Sequence, residues 1–96
     1  MAPAAPAPVK TTGDYGADLA AAGIVPDDVE EYRKFMVDFL CKSPIGSFSE
    51  EVRDVGVPGG ESTGRSPAVV RLTVAYFCPE RAAEAEKQLR LHGYVK

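Results

Sequence analysis

The run Ala68-Val-Val-Arg-Leu-Thr-Val-Ala-Tyr-Phe77 constrains this chain more than any other stretch. It is apolar almost throughout, carries Arg71 as its one charge, and sits between Pro67 and Pro79. On an extended backbone Val70, Leu72, Val74 and Tyr76 point one way, and Val69, Arg71, Thr73, Ala75 and Phe77 the other. That alternation predicts a strand over 68–77. A strand needs a neighbour for its backbone donors and acceptors. The nearest supply is 47–57, joined to it by the Gly- and Pro-rich loop 58–67. Within 47–57, Phe48, Val52 and Val55 also match a helical stripe, and Ser47 with Glu50 makes a capping box. The pairing requirement favours a strand there too.

Two helices are expected to cover this sheet. The first is Pro26–Lys42, where Pro26 suits a first turn and Asp27, Asp28, Glu30 and Glu31 place negative charge at the positive end of the helix dipole. Val29, Tyr32, Met36, Phe39 and Leu40 form its continuous apolar stripe, and Pro44 stops it. Phe35 and Val37 lie off that stripe, as in a helix held between its own core and a partner. The second helix opens at Pro79-Glu80 and runs to His92. Ala82, Ala85 and Leu89 form its buried side, Glu86 and Arg90 pair at i, i+4, and Gly93 caps it. Tyr94-Val95 would add a closing strand. A shorter helical stretch, Asp14–Ala22, precedes them and ends at Gly23. The expected fold is therefore α+β: a small antiparallel sheet packed by two helices, with a ferredoxin-like strand–helix–strand half at the C-terminus.

Ninety-six residues suffice for a single domain over 13–96. Residues 1–12 read differently, as an extended Ala/Pro-rich arm in which Pro3, Pro6 and Pro8 fix φ and remove donors. The first eight residues lack the basic start and long apolar core of a secretory signal. No apolar run approaches the ~20 residues that span a bilayer. The expectation is a soluble chain, intracellular or organellar rather than secreted, with no membrane insertion. The net charge of −3 argues against nucleic acid as a partner, since phosphate binding needs concentrated Lys and Arg. Residues 26–57 carry eight acids and four bases, residues 58–96 four acids and six bases, a split that can orient docking onto another surface.

The motifs that carry chemistry are few. Gly59-Gly60-Glu61-Ser62-Thr63-Gly64-Arg65-Ser66 fits a phosphate-binding loop except for Arg65 in the lysine position. Such a loop must lead into a helix N-terminus. With Pro67 and a strand expected next, and Glu61 inside the cradle, the segment reads as a hairpin loop. Cys41 and Cys78, 37 positions apart, read as small, reduced, buried side chains, and pair only if the fold brings their Cα atoms within ~7 Å. A reactive thiolate at Cys78, at the start of a helix, is the enzymatic alternative. His92 caps its helix, and no metal or other cofactor is expected.

Arg65-Ser66, the strand Val69–Val74, Pro79-Glu80-Arg81, the helix Glu84–Leu91 and Gly93-Tyr94-Val95 occur in that order. In this the C-terminal half resembles the small linker domain of phycobilisomes, also found at the N-terminus of cyanobacterial ferredoxin–NADP reductase. The resemblance implies a strand–helix–strand fold and a role in joining protein subunits. The sequence thus points to a non-enzymatic assembly or adaptor subunit with protein partners, contacting them through Pro3, Pro6, Pro8, Phe35 and Val37. A thiol-dependent redox protein or enzyme using Cys78 and a small-ligand-binding α+β domain are the alternatives.

Overall fold

In a computed structural model, which describes residues 10–96, the chain is built from helices, and the described residues contain no strand. The helices are α1 (Tyr15–Ala21), α2 (Val29–Met36), α3 (Phe48–Val55), α4 (Pro67–Phe77) and α5 (Ala82–Leu91). The α+β expectation, with its sheet and ferredoxin-like half, is overturned. The segment read as the central strand is α4. Val69, Val70, Leu72, Thr73 and Val74 are all buried, so this helix is enclosed on nearly every side. A helix buried all round shows no polar face, and over a short run its apolar composition mimics that of a strand. The start signal was present: Ser66 occupies the N-cap and Pro67 the first helical position.

The other helices arrange themselves around α4. Asp14 and Asp28 cap α1 and α2 by accepting from the amides of Ala17 and Glu31. Helix α1 lies along α4, where the Tyr15 and Thr73 hydroxyls share a 2.6 Å hydrogen bond. The segment 47–57 is helical rather than extended. Its stripe is the one the sequence offered, with Phe48, Val52 and Val55 all within the core. The Ser47 hydroxyl donates to the Pro44 carbonyl and the Glu51 carboxylate instead of forming the capping box with Glu50. Helix α3 ends at Gly56, where a Cβ would come 2.7 Å from the Val52 carbonyl oxygen and 2.8 Å from Leu89 Cδ2. Glycine is what allows α5 to approach there.

Helix α5 follows a 3₁₀ turn at Pro79–Arg81 and buries Ala85 and Leu89 as expected. Glu86 faces inward, so its partner is Arg71 of α4 (2.6 and 2.9 Å) rather than Arg90 on its own helix. This fork-on-fork geometry satisfies a nearly buried carboxylate. Gly93 adopts φ +78 and ends the helix. Beyond it Tyr94 and Val95 form no strand. The Tyr94 amide returns to the Leu89 carbonyl, and its hydroxyl donates to the carbonyl of Arg53 (2.9 Å).

The helix expected over 26–42 begins later, at Val29, and changes character after Met36. Val37–Cys41 is a π-helical turn, closed by the bond from the Lys42 amide to the Val37 carbonyl. Such a turn accommodates one extra residue without breaking the helix. Its last residue, Cys41, is joined to Cys78 in a disulfide, with Cα atoms 5.7 Å apart. The expectation of two reduced thiols is therefore corrected: the π turn and the end of α4 meet there. Arg81 reinforces the junction by donating to the carbonyls of Leu40 (2.8 Å) and Ser43 (2.6 Å), and its guanidinium lies over the Phe48 ring at 5.2 Å.

A candidate docking groove along α2

The outer side of α2 is only partly covered. Phe35 is 59% exposed and stacks on Phe39, with ring centroids 5.7 Å apart and planes 10° from parallel. The i, i+4 spacing of the two rings produces this pairing on one helix face. Together with Tyr32 and Met36 they form one wall of an open groove of about 980 Å³. The opposite wall comes from Val55, Val57 and Tyr94. Asp27, Asp28, Glu31 and Asp54 line the groove along with Arg53 and Arg65, leaving it two negative charges in excess.

The loop after α3 closes one end of the groove. Tyr32 donates to the Gly64 carbonyl (2.7 Å), and burial pushes the Tyr32 phenol well above its ordinary pKa. Gly64 holds φ +78 with Tyr32 Cε1 only 3.1 Å from where a Cβ would stand, so both backbone and space require glycine. This loop does lead into a helix, contrary to the expectation of a strand. It is nevertheless not a phosphate cradle. The amides of Thr63, Gly64 and Arg65 donate to Gly60 and Glu61 carbonyls, and Pro67 removes the first donor of α4. The Ser66 hydroxyl is buried without a hydrogen-bond partner among the described residues.

Of the residues singled out for partner binding, Phe35 lines the groove. Val37 does not: it starts the π turn, half-buried, away from the groove lining. Pro3, Pro6 and Pro8 lie outside the described residues. Cys78 is 2% exposed and, like Cys41, bound in the disulfide, so the thiolate of the enzymatic alternative has no free sulfur in this form. His92 sits at the end of α5, its Nε2 2.9 Å from the Ser49 carbonyl, which ties α5 to α3. Among the described residues no three His, Cys, Asp or Glu side chains converge to hold a metal. Sequence reasoning placed Phe39 on the core stripe, and it is half-buried there; its edge in the groove, and Tyr94 and Val57 as a facing wall, were not found. Only the i, i+4 pair Phe35 and Phe39 was a readable signal for the groove.

A second polar cluster joins α1 to α4. Asp18 accepts from the Thr12 amide (2.9 Å) and hydroxyl (2.8 Å) and from the Tyr76 hydroxyl. The bond from Tyr76, then those from Thr12, hold the Asp18 carboxyl below its ordinary pKa. Burial, followed by the bond to Asp18, raises the Tyr76 phenol. The Gly13 amide donates to the same phenol oxygen at 3.0 Å, so residues 12 and 13 are fastened to the helical body. No helix among the described residues is long and apolar enough to cross a membrane. Compared with known proteins, the chain matches no family model, no curated sequence and no solved structure.

Proposed function

We propose that this chain is a non-enzymatic assembly or adaptor subunit, held in a larger protein complex through the groove face of α2. One observation carries the reading: an exposed Phe35, stacked on the part-buried Phe39, facing a second apolar wall across an acid-rich groove. Exposed aromatics in a concave apolar setting supply the anchoring area that protein contacts use, while a polar rim orients the partner. The excess of acids favours a segment with an apolar face and a basic flank. The groove is open along its length. That suits a peptide or helix better than a small molecule, which needs most of its surface covered.

The disulfide bears on where this happens. Such bonds persist in oxidising compartments and are rare in a reducing cytosol. It favours an organelle lumen or the cell exterior, the first of which agrees with an organellar subunit. The linker resemblance loses support, because its strand at Val69–Val74 belongs to α4 and its closing strand follows α5 as coil.

The test is affinity purification of the wild-type chain and of Phe35→Ala under mild, non-reducing conditions. A partner retained by the first and lost at least about tenfold from the second is expected, as for an anchor worth more than 1.4 kcal/mol. Identical sets of co-purifying proteins would sink the groove reading.

A further inference from the structure

We infer that the partner seated in the α2 groove is a second copy of this chain. The exposed stripe of α5 around Leu91 lies along the groove of its twin, and the exchange is reciprocal about a two-fold axis near Tyr94. This deepens the groove reading above and rests on it. Three observations carry the inference. The first is a matching surface on the same chain. Leu91 is 68% exposed. Ala83, Lys87, Arg90 and Leu91 recur at i, i+4, i+7 and i+8, one side of a helix, and all four are exposed. That side is turned away from the one that buries Ala85, Glu86 and Leu89. The aliphatic stems of Lys87 and Arg90 widen the apolar surface that Leu91 begins. The stripe therefore has the apolar face and basic flank that the groove favours.

The second is charge. Lys87, Arg90 and Lys96 are exposed and enter no ion pair among the described residues. Against these three bases stands Glu84, which accepts from Gln88 at 2.7 Å, while Glu86 is turned inward to Arg71. The groove has acids in excess. Two copies set groove to stripe thus bring unlike charges together, which steers encounter and fixes register. The uneven charge along the chain, acidic over 26–57 and basic over 58–96, points the same way.

The third is position. Tyr94 lines the groove and stands three residues past Leu91, so groove and stripe adjoin on one molecule. Adjoining complementary patches suit a two-fold pair, in which each copy gives and receives at the same interface. The ten residues of α5 span ~15 Å and the eight of α2 ~12 Å, so one helix can lie along the other.

The experiment is sedimentation equilibrium on the full, oxidised chain at low and high salt. A reversible monomer–dimer equilibrium is expected, weakened by salt. Lys87→Glu/Arg90→Glu and Glu31→Lys should each raise the dimer dissociation constant at least about tenfold. All three positions are exposed, and circular dichroism reports that the fold is kept. Mixing the two variants should restore dimers, because each reversed groove then meets a reversed stripe and each native groove a native one. A wild-type chain that stays monomeric overturns the inference. So do dimers that both variants leave intact, and losses that mixing does not repair. A monomeric wild type whose capture of other proteins is still lost in Phe35→Ala overturns self-docking and leaves the groove reading standing. Dimers repaired by mixing, with capture unaffected by Phe35→Ala, uphold self-docking and end the groove as a site for other proteins.

Discussion

The two sides of α2 carry similar side chains and meet opposite fates. On the inner side Met36 and Leu40 are buried, the adjoining π turn ends in the Cys41–Cys78 disulfide, and Arg81 holds two carbonyls of the same junction. On the outer side Phe35 stands in solvent and stacks on the part-buried Phe39. The inner side is closed by packing, covalent bonding and hydrogen bonding together. The outer side is held more lightly: Phe39 packs part-buried against the core, Tyr32 donates to the Gly64 carbonyl, and the exposed Phe35 gains the ring contact with Phe39, worth about 0.5–1.5 kcal/mol beyond their area. Apolar character in a helix thus does not tell where the core is; closure does. An apolar face that the fold leaves unclosed is the part free to meet another surface.

That contrast can be broken most severely at the disulfide. It spans 37 positions, for which the chain-entropy relation gives about 4 kcal/mol. Reduction, or Cys41→Ser/Cys78→Ser, is expected to lower stability by that amount in urea denaturation, a large share of the ~5–15 kcal/mol typical of a domain. A loss below about 1 kcal/mol would show that the junction is held by packing alone. Next comes Leu40→Ala, fully buried on the inner side, at about 3 kcal/mol from lost transfer energy and the cavity left behind. Phe35→Ala, five positions earlier on the outer side, should cost under about 1 kcal/mol by the same measurement. Equal losses at the two positions would erase the distinction between the sides.

Acid sharpens the comparison from elsewhere in the fold, because the α1–α4 seam depends on Asp18 and the disulfide junction does not. The folded-state pKa of Asp18 is depressed. Its contribution is therefore complete above the unfolded value of 3.8 and is lost as pH falls through the folded value. Thermal melts at descending pH should show Tm falling below pH ~4 in the wild type and falling less in Asp18→Asn. Parallel curves would mean that other carboxylates govern the acid limb. The smallest change is expected at Ser66, whose buried hydroxyl has no partner among the described residues. Ser66→Ala removes an uncompensated polar group and should leave stability within about 0.5 kcal/mol or raise it. A loss above 1 kcal/mol would reveal a partner for that hydroxyl.

The sequence was most readable where an element has one wet side. The bounds of α1, the end of α5 and the stripe of α3 follow from apolar spacing and caps; of the stripe expected over 26–42, Met36 and Leu40 are buried, Tyr32 and Phe39 are half-buried, and Val29 is exposed. It was least readable at α4, whose enclosure removes the polar face that reveals helical period. One misreading there propagated: a strand at 68–77 demanded a neighbour, and α3 was drawn into that role against its own stripe. The disulfide had no local signature, since its two sulfurs meet only after α4 and the π turn pack together. The groove needed both walls, and the wall of Val55, Val57 and Tyr94 joins residues nearly forty positions apart. Phe35 was recognisable because a large aromatic off the main stripe has no place in the core. Val37 looked similar, but the π turn alters the register just where it stands.

The disulfide also changes what a cut in the backbone means. The exposed Arg65 lies between Cys41 and Cys78, in the loop ahead of α4. A protease that cleaves after Arg65 severs the chain there without releasing either piece, because the sulfur bridge still joins α2 to α4. Such a nicked molecule would run as one species on a gel without reductant and as two with it. The N-terminal segment and its groove wall would remain attached to the core helix after the peptide bond is gone.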